Sequence, residues 1–334
     1  MSKSSNYVQW LRSRVGHQKV FYVRACGVVR DGEGRVLLQR PPDFDRWGLP
    51  GGSLEPEERL SACLARGMRR KTGLEVEPTR LVGLYTSPDF DVTYPNGDQV
   101  QQFIACFACQ VTGGTPLIFR NGHSDGTLLA DQVAARNLAY FSPDALPDTP
   151  AWYRAMIEDY VADAPAASFR RGSPGSPMSK EHIIQLRQYV GREQLLMVGG
   201  GGLVRDEAGR ILLIRRGDDG KWGLPAGSME LGERLDRAVA REVGEETGLV
   251  VRTERLIGVY TGGPTFTHTY PNGDQIALVT TLFDCRVVGG RLRADNAESL
   301  EVRFFPPDEL PPLAQLYTIR IRHSLAGREA AFFQ

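Results

Sequence analysis

Apolar positions along the chain fall into short runs and longer helical spacings, and the same order of elements is met twice. In the second half, Ile183, Ile184 and Leu186, with Leu195–Leu196 beyond them, mark an amphipathic helix. An apolar strand follows, then a polar turn at Arg205–Arg210, then a second strand at Ile211–Arg216. A loop rich in Gly and Pro leads into a long helix whose apolar positions Leu235, Ala238, Val239 and Val243 share one face. Strands are predicted around Leu256–Tyr260 and Ile276–Val288, with Pro271–Asp274 ("PNGD") as a hairpin turn. A last strand and helix close the series. Strands interleaved with helices imply a layered α/β domain.

The first half carries the same series. Arg46–Leu60 (RWGLPGGSLEPEERL) recurs at Lys221–Leu235 (KWGLPAGSMELGERL), 175 residues later. The same offset links Leu11–Arg12 with Leu186–Arg187 and Val29–Asp31 with Val204–Asp206. Thr93–Gln99 recurs at Thr269–Gln275, and Tyr140–Pro147 matches Phe304–Pro311 at a shorter offset, so the first copy has extra residues within Thr115–Ala139. A period this long is a domain, because stacking repeats run about 20–50 residues. We therefore expect domains at 1–162 and 181–334, joined by a linker at 163–180 that is rich in Ala, Pro, Ser and Gly.

Composition narrows the function classes. Of the 334 residues, 41% are hydrophobic and 24% charged, as in globular proteins that fold in water. Lys+Arg and Asp+Glu both number 40, so no net field gathers nucleic acid or anionic membrane, and neither is expected as a partner. The start is polar and no apolar run approaches a membrane span, so a cytoplasmic location is expected. The five cysteines are odd in number and scattered, which argues against a disulfide framework. Cys106 and Cys109 form a lone CxxC in an apolar run and read as small buried hydrophobes.

The candidate chemistry lies in Gly227–Leu249 (GSMELGERLDRAVAREVGEETGL). Glu242, Glu245 and Glu246 stand at i, i+3 and i+4, so a helix gathers three like charges on one face. A cation relieves that repulsion, and hard oxygen ligands suit Mg²⁺, with Mn²⁺ as a substitute. Arg241 can pair with the neighbouring carboxylates, and Gly248 suits a left-handed helix end. The segment resembles the Nudix box, G-x5-E-x7-R-E-U-x-E-E-x-G-U with U bulky and apolar, and agrees at every fixed position. At average residue usage such a match arises by chance on the order of once in 10⁹ windows.

The resemblance implies two tandem α/β/α sandwich domains, each around a mixed sheet. It implies hydrolysis of a nucleoside diphosphate linked to another group, X. Gly227, Glu233, Glu242, Glu245 and Glu246 would form the metal site, and Arg241 would orient the acids. Glu298, ahead of Glu301, is the candidate general base from a later loop. Arg216, Tyr260 and His268 are candidates for holding substrate, with Phe266 and Tyr270 as further aromatic choices. Pro264, 15 residues past the box, is the position at which family members that hydrolyse ADP-ribose carry a proline. That leaves X as ADP-ribose or a related sugar nucleotide, or the substrate as a nucleoside triphosphate.

Laid on Gly52–Leu74, the same template keeps Gly52, Glu58, Arg66, Met68, Gly73 and Leu74, while Gly67, Arg70 and Lys71 replace the three key acids. The apolar frame of Trp47, Leu49, Leu60, Leu64 and Met68 persists. The first copy is thus expected to keep the fold without the metal, and either to pack on the second as an intramolecular pseudo-dimer or to bind phosphate through Arg70 and Lys71. A non-catalytic nucleotide sensor built from two such folds is the alternative for the whole chain.

Overall fold

The computed structural model describes residues 6–41, 45–117, 138–170, 172, 173, 175, 182–270 and 272–334. The expected insertion of the first copy falls mainly on 118–137, outside the described residues. In the first copy the elements are α1 (Tyr7–Val15), β1 (Val20–Val28), β2 (Val36–Gln39), β3 (Gly51–Ser53), α2 (Leu60–Thr72), β4 (Leu74–Tyr85), β5 (Val92–Thr93), β6 (Gln99–Gly114), β7 (Leu138–Phe141), α3 (Ala151–Val161) and β8 (Ser168–Phe169). In the second they are α4 (His182–Val190), β9 (Leu195–Val204), β10 (Ile211–Arg216), β11 (Trp222–Gly223), β12 (Ala226–Ser228), α5 (Leu235–Thr247), β13 (Leu249–Tyr260), β14 (Thr267–Thr269), β15 (Gln275–Gly290), β16 (Ser299–Phe305), α6 (Gln315–Leu325) and β17 (Phe332–Phe333).

The sheets run β3-β1-β6-β4-β8 and β12-β9-β15-β13-β17, one order used twice. Each is mixed: β1 and β9 lie parallel to β6 and β15, and β4 and β13 lie antiparallel to them. A smaller sheet, β2-β7 or β11-β10-β16, accompanies each. The long helix covers one face and α3 or α6 the other, giving the α/β/α sandwich. In α5 the apolar face is buried as the spacing predicts, with Leu235, Ala238, Val239 and Val243 almost fully enclosed. Gly248 ends the helix in the left-handed conformation (φ 72°), and Gly73 ends α2 likewise (φ 76°). Leu195–Leu196 belong to β9 and not to the helix before it. Composition reads 163–180 as a linker, yet Ser168–Phe169 within it pair in parallel with Gly83–Leu84 as the last strand of the first sheet. An apolar Phe on an open sheet edge outweighs the flexible residues around it.

One hydrophobic core runs through both copies, including Leu60, Met68 and Phe107 from the first and Leu235, Val243 and Phe283 from the second. Phe107 meets Phe333 edge-on at 5.1 Å, and Phe169 meets Phe283 in the same way at 5.1 Å. Phe107 aligns with Phe283 and Phe169 with Phe333, so these are two versions of one contact, as an isologous interface produces. Three of the cysteines, Cys26, Cys63 and Cys106, are fully buried and all five are free thiols. Burial pushes the Cys106 and Cys109 thiols well up, the state of an inert core residue. No helix among the described residues is long and apolar enough to cross a membrane.

Candidate active site

The site forms where α5 lies against β12. Glu242 and Glu246 are buried, 7% and 5% exposed, and of the three helix acids only Glu245 faces solvent. They therefore share a face that is closed over by β12, not an exposed one. Gly227 explains the close approach, since a Cβ there would overlap the Glu242 carboxylate. The Ala226 amide donates to Glu246 Oε2 at 2.9 Å. Arg241 donates to Glu242 Oε1 at 2.9 Å and to Glu245 Oε2 at 3.1 Å. It also donates to both oxygens of Glu233 at 3.0 Å and to the Ser228 carbonyl at 2.9 Å. Glu233 accepts a further bond from the Glu230 amide, so both its oxygens are engaged. Expected at the metal, Glu233 here braces Arg241 and its own loop.

Removing two carboxylates from water beside each other disfavours their charged forms. Burial pushes Glu242 up to about 7, with Glu245 and Glu298 adding to the rise and Arg241 opposing it. Burial pushes Glu246 up to about 9, with Glu242 and Glu298 adding and Arg216 opposing. Among the described residues no three acids stand close enough to hold a metal ion as they are: Arg241 ties Glu242 to Glu245, and the Ala226 amide holds Glu246. The donor set nonetheless fits a hard divalent cation: acidic oxygens crowded into a small space with too little positive charge.

Glu298 is brought to the same cleft by a tied turn. Asp295 accepts from the Ala297 and Ser299 amides, and the Ser299 hydroxyl donates to the Glu246 carbonyl at 2.6 Å. Glu301, on β16, points elsewhere and pairs with Arg215 of β10. The cleft holds about 720 Å³ and is walled by Arg187 and Ile183 of α4, Met197 of β9 and Tyr270 of the hairpin, with Arg241, Glu242, Glu245 and Glu298 at its acidic end. Arg187 is spent on structure, donating to the carbonyls of Gly191, Glu193 and Gln275, as Arg12 does in the first copy. The hairpin turns alike in both copies, at Gly97 (φ 89°) and Gly273 (φ 88°).

The expected substrate contacts divide. Tyr260 is a correction: its ring is completely buried between Phe266 and His323 and belongs to the core under α6, because the end of β13 points inward there. Phe266 is enclosed with it. His268 is exposed on β14 and stands edge-on behind Tyr270 at 4.6 Å. Tyr270 is the aromatic that lines the cleft. Arg216 bears on Glu246 by charge, while its guanidinium is held by Asp218 and the Tyr317 hydroxyl. Pro264 opens a single 3-10 turn, Pro264–Phe266, as Pro88 does at Pro88–Phe90 in the copy without acids, which makes it a feature of the fold. The α4 wall and Met197 escaped sequence reasoning. The recurrence of Leu-Arg in both copies was the signal for the wall.

The equivalent region of the first copy is built differently. Arg66 keeps the brace, donating to both oxygens of Glu58 at 2.7 and 2.8 Å and to the Ser53 carbonyl at 2.7 Å. Gly67, in place of Glu242, lies so close to β3 that a Cβ would overlap the backbone of Gly51 and Gly52. Arg24, in place of Gly199, stands between Tyr22 and Tyr153 and donates to the Tyr153 hydroxyl at 2.8 Å. The cavity that remains there, about 450 Å³, has Asp98 as its one acidic wall.

Comparison with known proteins agrees with this division into two like halves. The NUDIX domain matches residues 21–160 and again 196–325. A MutT-like protein of Streptomyces ambofaciens is 39% identical over 131 residues, covering 39% of this chain and 77% of that protein. An ADP-ribose pyrophosphatase of Methanocaldococcus jannaschii is 39% identical over 108 residues, 31% of this chain and 59% of that protein. A human 8-oxo-dGDP phosphatase is 37% identical over 111 residues, 31% of each. A solved MutT NUDIX hydrolase from Burkholderia pseudomallei shares 30% identity and covers 39% of this chain and 98% of its own, with a TM-score of 0.31. With the family matched twice, over more than half of its length, this chain belongs to the NUDIX family of pyrophosphohydrolases, as a tandem of two such domains.

Proposed function

We propose that the second copy alone hydrolyses a diphosphate bond in a nucleoside diphosphate linked to a further group, with Mg²⁺ or Mn²⁺, and that the first copy is its structural partner in an intramolecular pseudo-dimer. The observation that carries the reading is the pair of buried acids, Glu242 and Glu246, the first of which lines the acidic end of an open cleft with Glu245 and Glu298. A pure sensor gains nothing from burying two like charges together, and the first copy keeps the frame without them. When bound, the cation supplies neutralisation of the diphosphate and acidifies the attacking water. Glu242, Glu245 and Glu246 would hold it, with Arg241 keeping the first two in register through Glu233. Glu298 takes the proton from that water. Tyr270 supplies the stacking wall for the nucleoside, and Arg216 lends positive charge on the Glu246 side.

The shared core and the paired phenylalanine contacts support the pseudo-dimer. Proline at 264 supports no choice of X, because its counterpart Pro88 makes the same turn. Besides NAD-capped RNA, the relatives' names give two classes of small nucleotide substrate, ADP-ribose and oxidised nucleotides. Both are tested together: the purified chain is incubated with Mg²⁺ and a panel of ADP-ribose, sugar nucleotides, dinucleoside polyphosphates, and normal and oxidised nucleotides, and the products are separated by chromatography. Turnover of one class, lost in Glu246→Gln, is the expected result. Tight nucleotide binding with no turnover of any substrate would favour the sensor.

A further inference from the structure

The loop that carries Glu233 is held from outside its own domain. Gln101 lies on β6 of the first copy and is fully buried. Its amide nitrogen donates to the Glu233 carbonyl at 2.8 Å, and its amide oxygen accepts from the Gly232 amide at 2.6 Å. One side chain thus closes two backbone groups of the loop at once. Residues following β8 add to the grip: Gly175 bridges to the Glu233 backbone, and the Gly172 carbonyl accepts from Arg234 at 2.6 Å. Arg234 is buried and paired with Asp236, whereas its counterpart Arg59 is exposed.

This is the point at which the two-fold likeness of the copies breaks. Gln101 aligns with Ala277, which has no polar group to offer. The first copy's own loop is held by other means, through the Thr261 hydroxyl on the Leu60 amide at 3.0 Å and the Gly263 amide on the Glu57 carbonyl at 3.0 Å. From Gln101 the contacts lead in sequence to Glu233, then Arg241, then Glu242 and Glu245. Partners that lie behind the ligands and fix their orientation typically alter metal affinity or activity by about 10- to 100-fold when removed.

We propose that Gln101 of the acid-less copy is a positioning residue for the metal site of the other, so that the first domain contributes to function through this amide as well as through packing. The inference rests on the metal site proposed above. It is tested on the full chain with Mn²⁺ as the probe, titrated by electron paramagnetic resonance without substrate, alongside kcat and KM for whichever panel compound is turned over. Gln101→Leu is expected to weaken Mn²⁺ binding by about tenfold and to lower kcat by a similar factor with little change in KM. Gln101→Glu keeps the acceptor for Gly232 but turns a buried carboxylate oxygen against the Glu233 carbonyl, and should lose at least as much. Thr261→Ala removes an interface hydrogen bond that leads to no acid, so it should lower thermal stability and leave Mn²⁺ affinity unchanged.

Wild-type Mn²⁺ affinity in both Gln101 variants, or an equal loss in Thr261→Ala, would overturn the proposal. If the chain binds Mn²⁺ but turns over no substrate, the Mn²⁺ comparison still decides it while the hydrolase reading falls. A wild-type chain that binds no Mn²⁺ would remove both.

Discussion

The two copies share a fold, a sheet order and even the arginine brace, yet only one keeps the acids that the brace serves. Arg66 on Glu58 and the Ser53 carbonyl reproduces Arg241 on Glu233 and the Ser228 carbonyl almost bond for bond. The brace therefore has a folding role of its own: it fixes the loop ahead of the helix whatever the helix carries. What separates the copies is the space beside it. In the second, β12 stands off far enough to leave a carboxylate over Gly227. In the first, β3 lies directly on Gly67, and Arg24, where the second copy has Gly199, stands between two tyrosines. Loss of the acids and closure of the space go together, because close packing leaves no stable void where a side chain has been deleted.

The largest effect is expected from Glu246→Gln, which should cut turnover on the order of 10²- to 10³-fold or more while the fold survives. Circular dichroism with a turnover assay checks this. Near-normal activity would remove the metal assignment. Next comes a matched pair. Arg241→Ala should lower activity by about 10- to 100-fold through loss of orientation. Arg66→Ala should lower thermal stability and leave kcat untouched. Equal kinetic losses from both would mean that the first copy takes part in the chemistry.

A graft sharpens the contrast. Gly67→Glu with Arg70→Glu and Lys71→Glu restores the sequence of the motif, but the new side chain at 67 collides with the Gly51–Gly52 backbone. The graft should destabilise the chain by about 1–3 kcal/mol and gain no metal site. Calorimetry with Mn²⁺ in a Glu246→Gln background checks it, and a new binding isotherm would show that the first copy is still open.

The last prediction concerns pH. Glu242 and Glu246 titrate higher in the fold than the ordinary value of 4.5, at about 7 and about 9. The folded state therefore holds protons that the unfolded chain has released. Stability of the metal-free protein should decline as pH rises from 4.5 towards 9, relative to a Glu242→Gln, Glu246→Gln chain. Saturating Mg²⁺ should flatten the difference. A melting temperature that rises across that window relative to the double variant would contradict the burial of these acids.

Much of this was legible in the sequence. The duplicated spacing marks two like domains, and the i, i+3, i+4 acids mark the helix to which we assign the chemistry, because both depend on local periodicity. The rest depends on distance. Tyr260 reads as a possible stacking residue and is core, since nothing local says which way the end of a strand faces. Glu233 matches the motif and proves to be engaged by Arg241. Ser168–Phe169 sits in a stretch of linker composition and pairs with a sheet whose other strands lie far away in sequence. Gln101 shows only as a polar residue in an apolar strand that its repeat lacks, and its partner is 132 residues away.

Under the proposed function, one metal site, in the second copy, does the chemistry. Mn²⁺ titration and Mg²⁺-dependent turnover of the full chain, compared with the Glu242→Gln, Glu246→Gln double variant, test it most directly. The double variant should stay folded and lose metal binding and turnover together. Metal binding or turnover that survives in the double variant would place the site elsewhere, and the first copy would have to be reopened as an active domain.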